Sequence, residues 1–293
     1  MGPPIEAARL IPWALDRLEL GEGARWVGDR VVLVDIPTGR LLEAEISQPG
    51  PLRLLAKLDV PLGAVAPMAG TERDWIAACG TGVGILRSDG RLEWLERPED
   101  GNRIKTRMND GCADPAGRFW AGSMAHDFTP DAGSLYRVNR DGTVTRVLDG
   151  VTIANGPAFN SSGTTMYFSD TARARIDRFS IDPDSGALSE RTLFAQLDVD
   201  LENPDGMIVD DEDHLWVAIW GMAEVRRYRP DGSLADTIRV PTRQPSSVCL
   251  VGRDLPRMFV TTAAEGLSDE LAGALFSTAA KVGGRPADVF RLG

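Results

Sequence analysis

Six positions of this chain share one spacing. Glu22, Gly63, Asn109, Asn155, Asp205 and Ser247 each stand ten to twelve residues before the centre of a short apolar run, the centres being Val32, Trp75, Trp120, Tyr167, Trp216 and Phe259. Four of the six, Glu22, Asn109, Asn155 and Asp205, carry a carboxylate or amide oxygen. If a fold brings equivalent positions to a common axis, two carboxylates and two amide carbonyls converge there with no imidazole or thiolate among them. That donor set suits a hard divalent cation, Ca²⁺, Mg²⁺ or Mn²⁺. Glu22 and Asp205 supply two negative charges to balance it. Without a cation, carboxylates crowded into a narrow channel repel and raise one another's pKa. Asn155-Gly156 and Asp205-Gly206 are also turn dipeptides, so each alone has a local explanation. The coincidence of four positions is what points to a cation.

The elements that must position these residues repeat as well. In Arg107–Met124, a polar cluster (Arg107, Asn109, Asp110) precedes turn chemistry at Asp114-Pro115-Ala116-Gly117 and the apolar run Phe119–Met124. Pro there presets φ, and Gly is free to take φ > 0. The six apolar centres are spaced about 43 to 49 residues apart, the period of propeller blades. Each run is followed by a further strand and another turn. Asp89-Gly90, Asp141-Gly142 and Asp231-Gly232 are hairpin tips, and fourth strands follow them over Leu92–Leu95, Val144–Leu148 and Asp236–Val240. The expectation is an all-β, six-bladed β-propeller with four antiparallel strands per blade, a single domain over 1–293. The first strand of each blade lines the central channel. The segment Ala8–Glu19 is expected to add a strand to the last blade, which ends at Phe290-Arg291-Leu292, so that no sheet edge stays open. Helical periodicity is nearly absent, apart from one short helical turn expected within Leu267–Leu275.

Composition narrows the function. The net charge of −11 speaks against nucleic-acid or anionic-membrane partners, which need a basic face. Cys79, Cys112 and Cys249 are odd in number and show no CxxC, which fits a reducing, cytoplasmic compartment rather than a disulfide framework or thiolate zinc site. Two histidines, His126 and His214, leave little room for a His-built zinc site. The start, MGPPIEAARLIPWALDRLEL, with Glu6 and Asp16, does not read as a signal peptide. No apolar run reaches the roughly 18 residues of a membrane span. A GxSxG elbow is missing. Gly80-Thr81-Gly82-Val83-Gly84 reads as a blade turn, Asp182–Gly186 as a hairpin, and Asp210–Asp213 as a solvated turn with His214 exposed beside it. Most Trp residues read as blade core, with Trp220 placed to wall a pocket.

Gly21-Glu22-Gly23-Ala24-Arg25-Trp26, Arg107-Met108-Asn109-Asp110-Gly111, Asp114–Gly122, Asn155-Gly156 and Pro204-Asp205-Gly206-Met207, in this order and spacing, resemble the SMP-30/gluconolactonase/luciferin-regenerating (regucalcin-like) family. The match runs on to Pro245–Cys249 and Met258–Thr261. The resemblance implies a six-bladed propeller holding one divalent metal ion (Ca, Mn, Mg or Zn), and hydrolysis of a lactone, most often a sugar (aldono-) lactone such as gluconolactone. By position it implies Glu22, Asn155 and Asp205 as metal ligands, Asp205 as general base, and Arg107 and Asn109 as substrate contacts. Asp110 either binds a sugar hydroxyl or pairs with Arg107, the pair being slightly favoured. Where the family often has a small residue and then Trp after the Asn-Gly, this chain has Pro157-Ala158-Phe159, an apolar wall that would suit a less hydroxylated substrate. The competing expectations are a non-catalytic calcium-binding propeller and a hydrolase of a non-sugar lactone, ester or phosphotriester. A monomer or weak homo-oligomer is expected.

Overall fold

Residues buried on both faces of a sheet read as continuous apolar runs, because neither side meets water. The second strand of every blade has this character. Arg30–Asp35, Trp75–Cys79, Phe119–Ala125, Thr165–Asp170, Leu215–Trp220 and Arg257–Thr262 are almost entirely buried. They cover all six apolar runs expected from the sequence. A computed structural model describes residues 9–293. Residues 1–8, which include Glu6 and Ala8, lie outside the described part. Within it, 24 strands form six four-stranded antiparallel sheets. Five sheets take four consecutive strands in chain order. The sixth joins Pro245–Val251, Arg257–Thr262 and Leu275–Ala279 to the N-terminal strand Ile11–Ala14, which pairs antiparallel with Leu275–Ala279. The ring of a six-bladed β-propeller is thereby closed by the N-terminal segment.

The side chains of each middle strand alternate between its two neighbours. Phe119 packs into the core between blades two and three, with Ile76, Met108 and Tyr136. Its neighbour Trp120 faces the other way, into the core between blades three and four, with Phe159, Met166 and Phe168. Tyr167, Trp216 and Phe259 serve the next three interfaces, and Val32 and Trp75 share the interface between blades one and two. Trp13, Trp75, Trp120 and Trp216 are buried as expected of blade core, with Trp13 edge-on against Phe259 at 5.3 Å, but Trp94, on an outer strand, is exposed. Outer strands such as Arg53–Lys57 and Leu234–Arg239 are largely exposed, and their polar sequences carry a weaker pattern.

Two boundaries differ from expectation. Leu267–Leu275 forms turns and the start of a strand instead of a helical turn, while a 3₁₀ turn sits at Thr171–Arg173. The last blade ends at Ala279, and the chain beyond it leaves the sheet to cross the face where the inner strands end, the lower face. Its contacts there visit five blades in turn. Gly283 O accepts from Asp211 N, Arg285 Nη2 donates to Phe159 O, and Ala287 N donates to Trp26 O. Phe290 exchanges backbone bonds with Pro67 and Ala69, and Arg291 N donates to Gly117 O.

Candidate active site

All six channel-lining strands carry the same irregularity. The pairing of each with its neighbour slips by one residue, between Glu22 and Arg25, Leu62 and Ala64, Met108 and Gly111, Asn155 and Ala158, Pro204 and Met207, and Pro245 and Ser247. A β-bulge bends the strand and re-aims a side chain. Here the six bulges fall at or beside the six equivalent positions found in the sequence, near the start of each inner strand. We call this end of the channel the upper mouth. Gly63, the position in blade two without a side chain, has a physical reason to be glycine: a Cβ there would lie 2.1 Å from Asn109 O.

Glu22 (3% exposed) and Asp205 (6%) are buried, and their carboxyl groups lie within hydrogen-bond reach of each other. Glu22 Oε2 accepts Gly23 N at 2.9 Å, and Asp205 takes the N–H of Gly206. Among the described residues neither makes an ion pair; Arg107 acts on both only as a longer-range charge. Burial, followed by the charges of Asp205 and Asp110, holds the Glu22 carboxyl well above the ordinary range. Burial raises Asp205 as well, with Asp110 adding to it. Two adjacent buried carboxylates without a cationic partner are costly unless a cation is supplied, so the residues fit a divalent ion. No cluster of three or more His, Cys, Asp or Glu is gathered at metal-binding spacing among the described residues. A site here therefore needs an amide oxygen as third donor.

Asn155 can offer one. Its Oδ1 accepts from Asn109 Nδ2 at 3.1 Å, and its Nδ2 donates to Thr171 Oγ1 at 2.7 Å. Asn109 in turn gives its other N–H to Ala154 O at 2.8 Å and accepts from Arg107 Nη1 at 2.7 Å. Arg107 is partly buried, which lowers its pKa against the opposing charges of Glu22, Glu265 and Asp205. The structure thus brings together Arg107, Asn109 and Asn155 by direct hydrogen bonds, and Glu22 with Asp205 by contact. The two groups are stitched through backbone neighbours: Asp110 Oδ2 accepts Gly156 N at 2.9 Å, and Thr171 Oγ1 donates to Pro204 O at 2.6 Å.

The favoured Asp110–Arg107 pair does not form. Asp110 is 1% exposed and faces Arg25, whose Nη2 lies 3.5 Å from Oδ1, and Oδ1 also takes Gly111 N at 2.7 Å. The reason is the bulge, which sends Asn109 and Asp110 to different partners, so Arg107 turns to Asn109 Oδ1 and Met108 O instead. Sequence reasoning missed Arg25 and Thr171. Arg25 bonds its neighbour Ala24 O and, in blade three, Gly111 O, and its only signal was its place in the strand that carries Glu22. The apolar wall expected from Pro157-Ala158-Phe159 is not at this mouth. Ala158 and Phe159 are buried between blades. All three line a cavity of about 60 Å³ at the lower mouth, with Arg25, Cys112 and Asp288, too small for an organic substrate of ~300 Å³ or more. Trp220 is half-buried at the upper end of its strand, and His126 is exposed beyond Ala125, where partial burial and then the charge of Arg107 lower its pKa.

Residues 20–264 match the model of the SMP-30/Gluconolactonase/LRE-like region. The chain is 35% identical over 292 residues to the pentonolactonase XacC of Haloferax volcanii, covering 91% of this chain and 93% of the relative. It is 32% identical over 263 residues to the regucalcin of Gallus gallus, covering 87% of each. Among solved structures it superposes on a calcium-binding protein, regucalcin, from Agrobacterium tumefaciens with a TM-score of 0.88 at 28% identity, covering 98% of both chains.

Proposed function

The chain belongs to the SMP-30/gluconolactonase/LRE-like family, and from that membership we propose that it opens a lactone ring, most readily a sugar lactone, with one divalent ion at the upper mouth. The observation that carries the reading is the buried couple Glu22 and Asp205, which makes no ion pair among the described residues, with the guanidinium of Arg107 acting on both as a longer-range charge. The pentonolactonase relative supports the substrate class, and the calcium-binding regucalcin structure supports an ion. The three cysteines stand as separate free thiols, which supports a reducing, cytoplasmic setting.

Glu22, Asn155 and Asp205 would hold the ion through oxygen alone, as Ca²⁺, Mn²⁺ or Mg²⁺ prefers; Zn²⁺ tolerates such ligands less well. When bound, the ion supplies Lewis acidity at the lactone carbonyl and makes water more acidic. A lactone is a reactive ester, so no covalent nucleophile is needed. Asp205 takes the proton of the water that adds to the carbonyl carbon, and the ring C–O bond breaks. The departing alkoxide recovers a proton, leaving a hydroxy acid. Arg107 offers a planar donor fork to substrate hydroxyls or to the developing oxyanion. Asn109 holds that fork in place while lying against Asn155. Asp110, enclosed by Arg25 and two backbone N–H groups, contributes to the shape of the site.

A panel of aldonolactones, assayed with chelator and then with Ca²⁺, Mn²⁺ or Zn²⁺ restored, tests the proposal. Ring opening is expected to fall to background on chelation and to return with one ion. Full activity in chelator, or in Asp205→Ala, contradicts it. The similarity to calcium-binding regucalcin favours a second reading, an ion-binding propeller without catalysis. A pure ion binder has no use for Arg107, so an Arg107→Ala variant that binds metal normally and loses ring opening decides for the enzyme.

A further inference from the structure

Thr171 belongs to blade four but touches blade five. Its hydroxyl oxygen lies 2.6 Å from Pro204 O and 2.7 Å from the side-chain amide of Asn155. A carbonyl only accepts, so the one hydroxyl proton of Thr171 goes to Pro204. The Thr171 oxygen must then accept, and the group facing it must be the NH₂ of Asn155. That leaves Oδ1 of Asn155 pointing the other way, toward Asn109, whose Nδ2 meets it at 3.1 Å. The same logic fixes Asn109, whose Oδ1 receives Arg107 Nη1 at 2.7 Å. The result is a chain of hydrogen bonds with one direction, from Arg107 through Asn109, Asn155 and Thr171 to Pro204, the residue next to Asp205. Asn109, Asn155 and Thr171 are all buried, so water does not substitute for a missing partner.

We propose that Thr171 is a positioning residue that locks the Asn155 amide with its oxygen turned to the ion site, across the junction of blades four and five. The proposal rests on the metal reading given above and goes beyond it by naming what makes a neutral amide a dependable ligand. Without the Thr171 acceptor, the 3.1 Å bond from Asn109 Nδ2 is what still holds the Asn155 oxygen in place, and a half-turn of the amide would present NH₂ to the cation, which repels it. Residues that orient metal ligands in this way typically alter affinity 10- to 100-fold when removed.

The test compares wild type, Thr171→Val and Thr171→Ser by calorimetric titration with Mn²⁺, alongside the exchange rates of the Asn155 side-chain NH₂ in metal-free protein, assigned by their loss in Asn155→Asp. Val is close to Thr in size, and Ser169 Oγ, 3.3 Å from Pro204 O, remains to serve that carbonyl, so Thr171→Val is expected to fold. The expected result is at least about tenfold weaker Mn²⁺ binding and at least about tenfold faster NH₂ exchange in Thr171→Val, with both restored to within a few-fold in Thr171→Ser. A Thr171→Val protein with a lower Tm but Mn²⁺ affinity within twofold of wild type overturns the assignment and leaves Thr171 a mere blade tie. Wild-type protein that takes up none of Mn²⁺, Ca²⁺ and Mg²⁺ in the same titration overturns the functional reading and this assignment together, whereas an unaffected Thr171→Val overturns the assignment alone.

Discussion

Arg107 stands apart from Glu22 and Asp205 yet acts on both by charge, so each residue of this cluster has its own signature on removal. Arg107→Ala deletes a donor that acts on the substrate and not on the ion. It is expected to lower kcat/KM by about 100-fold or more, the scale of one lost oxyanion donor, while Mn²⁺ affinity stays within a few-fold; steady-state kinetics and titration check both. Glu22→Gln keeps the shape and removes one of the two charges, so metal affinity should fall by more than tenfold as judged by titration. Spacing exposed Glu22, Asn109, Asn155 and Asp205 because a propeller converts a repeat in sequence into a ring in space, and the family resemblance singled out Glu22, Asn155 and Asp205 among them. It could not expose the partners of Asp110 or the role of Thr171. Those depend on which neighbouring blade a bulge turns each side chain toward, and on backbone groups such as Gly156 N and Pro204 O that leave no trace in residue type.

Blades three and five are each pinned by a device of Asp and Trp six residues apart. Asp114 accepts Arg118 N, Arg118 Nε and Trp120 Nε1, at 2.9, 2.7 and 2.9 Å. In blade five Asp210 accepts His214 N, Trp216 Nε1 and Arg227 Nε, at 2.9, 2.8 and 2.8 Å. The acidic run Asp210–Asp213, expected to be solvated, is therefore split. Asp210 is buried as a hub, His214 is half-buried, and Asp211, Glu212 and Asp213 are exposed. Turn chemistry showed where the hairpin bends, but not that its first carboxylate points inward to an indole. Asp114→Ala leaves the buried Arg118 guanidinium without its carboxylate and is expected to cost about 3–5 kcal/mol. Urea unfolding measures this, and a cost below about 1 kcal/mol would show that the hub is dispensable. The strand pattern itself was legible because both faces of each middle strand are buried. The chain from 280 onward was not, since it forms almost no regular structure and its bonds are mostly from backbone to backbone of other blades.

That terminal chain matters to the molecule as a whole. The ring is closed once by strand pairing, Ile11–Ala14 against Leu275–Ala279, and a second time by residues 283–291 running over the lower mouth. Phe290 is fully buried with Ala66, Met68 and Tyr136 between blades two and three. Phe290→Ala is expected to destabilise the protein by about 3–5 kcal/mol, read by chemical denaturation. Because the tail covers the lower mouth, substrate and ion would enter from the upper one, where Glu22, Asn155 and Asp205 lie. The most direct test of that arrangement is a crystal of the wild-type protein soaked in Mn²⁺ and recorded for anomalous scattering. One strong peak bonded to oxygens of Glu22, Asn155 and Asp205 is the expected result. A peak elsewhere, or none at a concentration that supports ring opening, would contradict it.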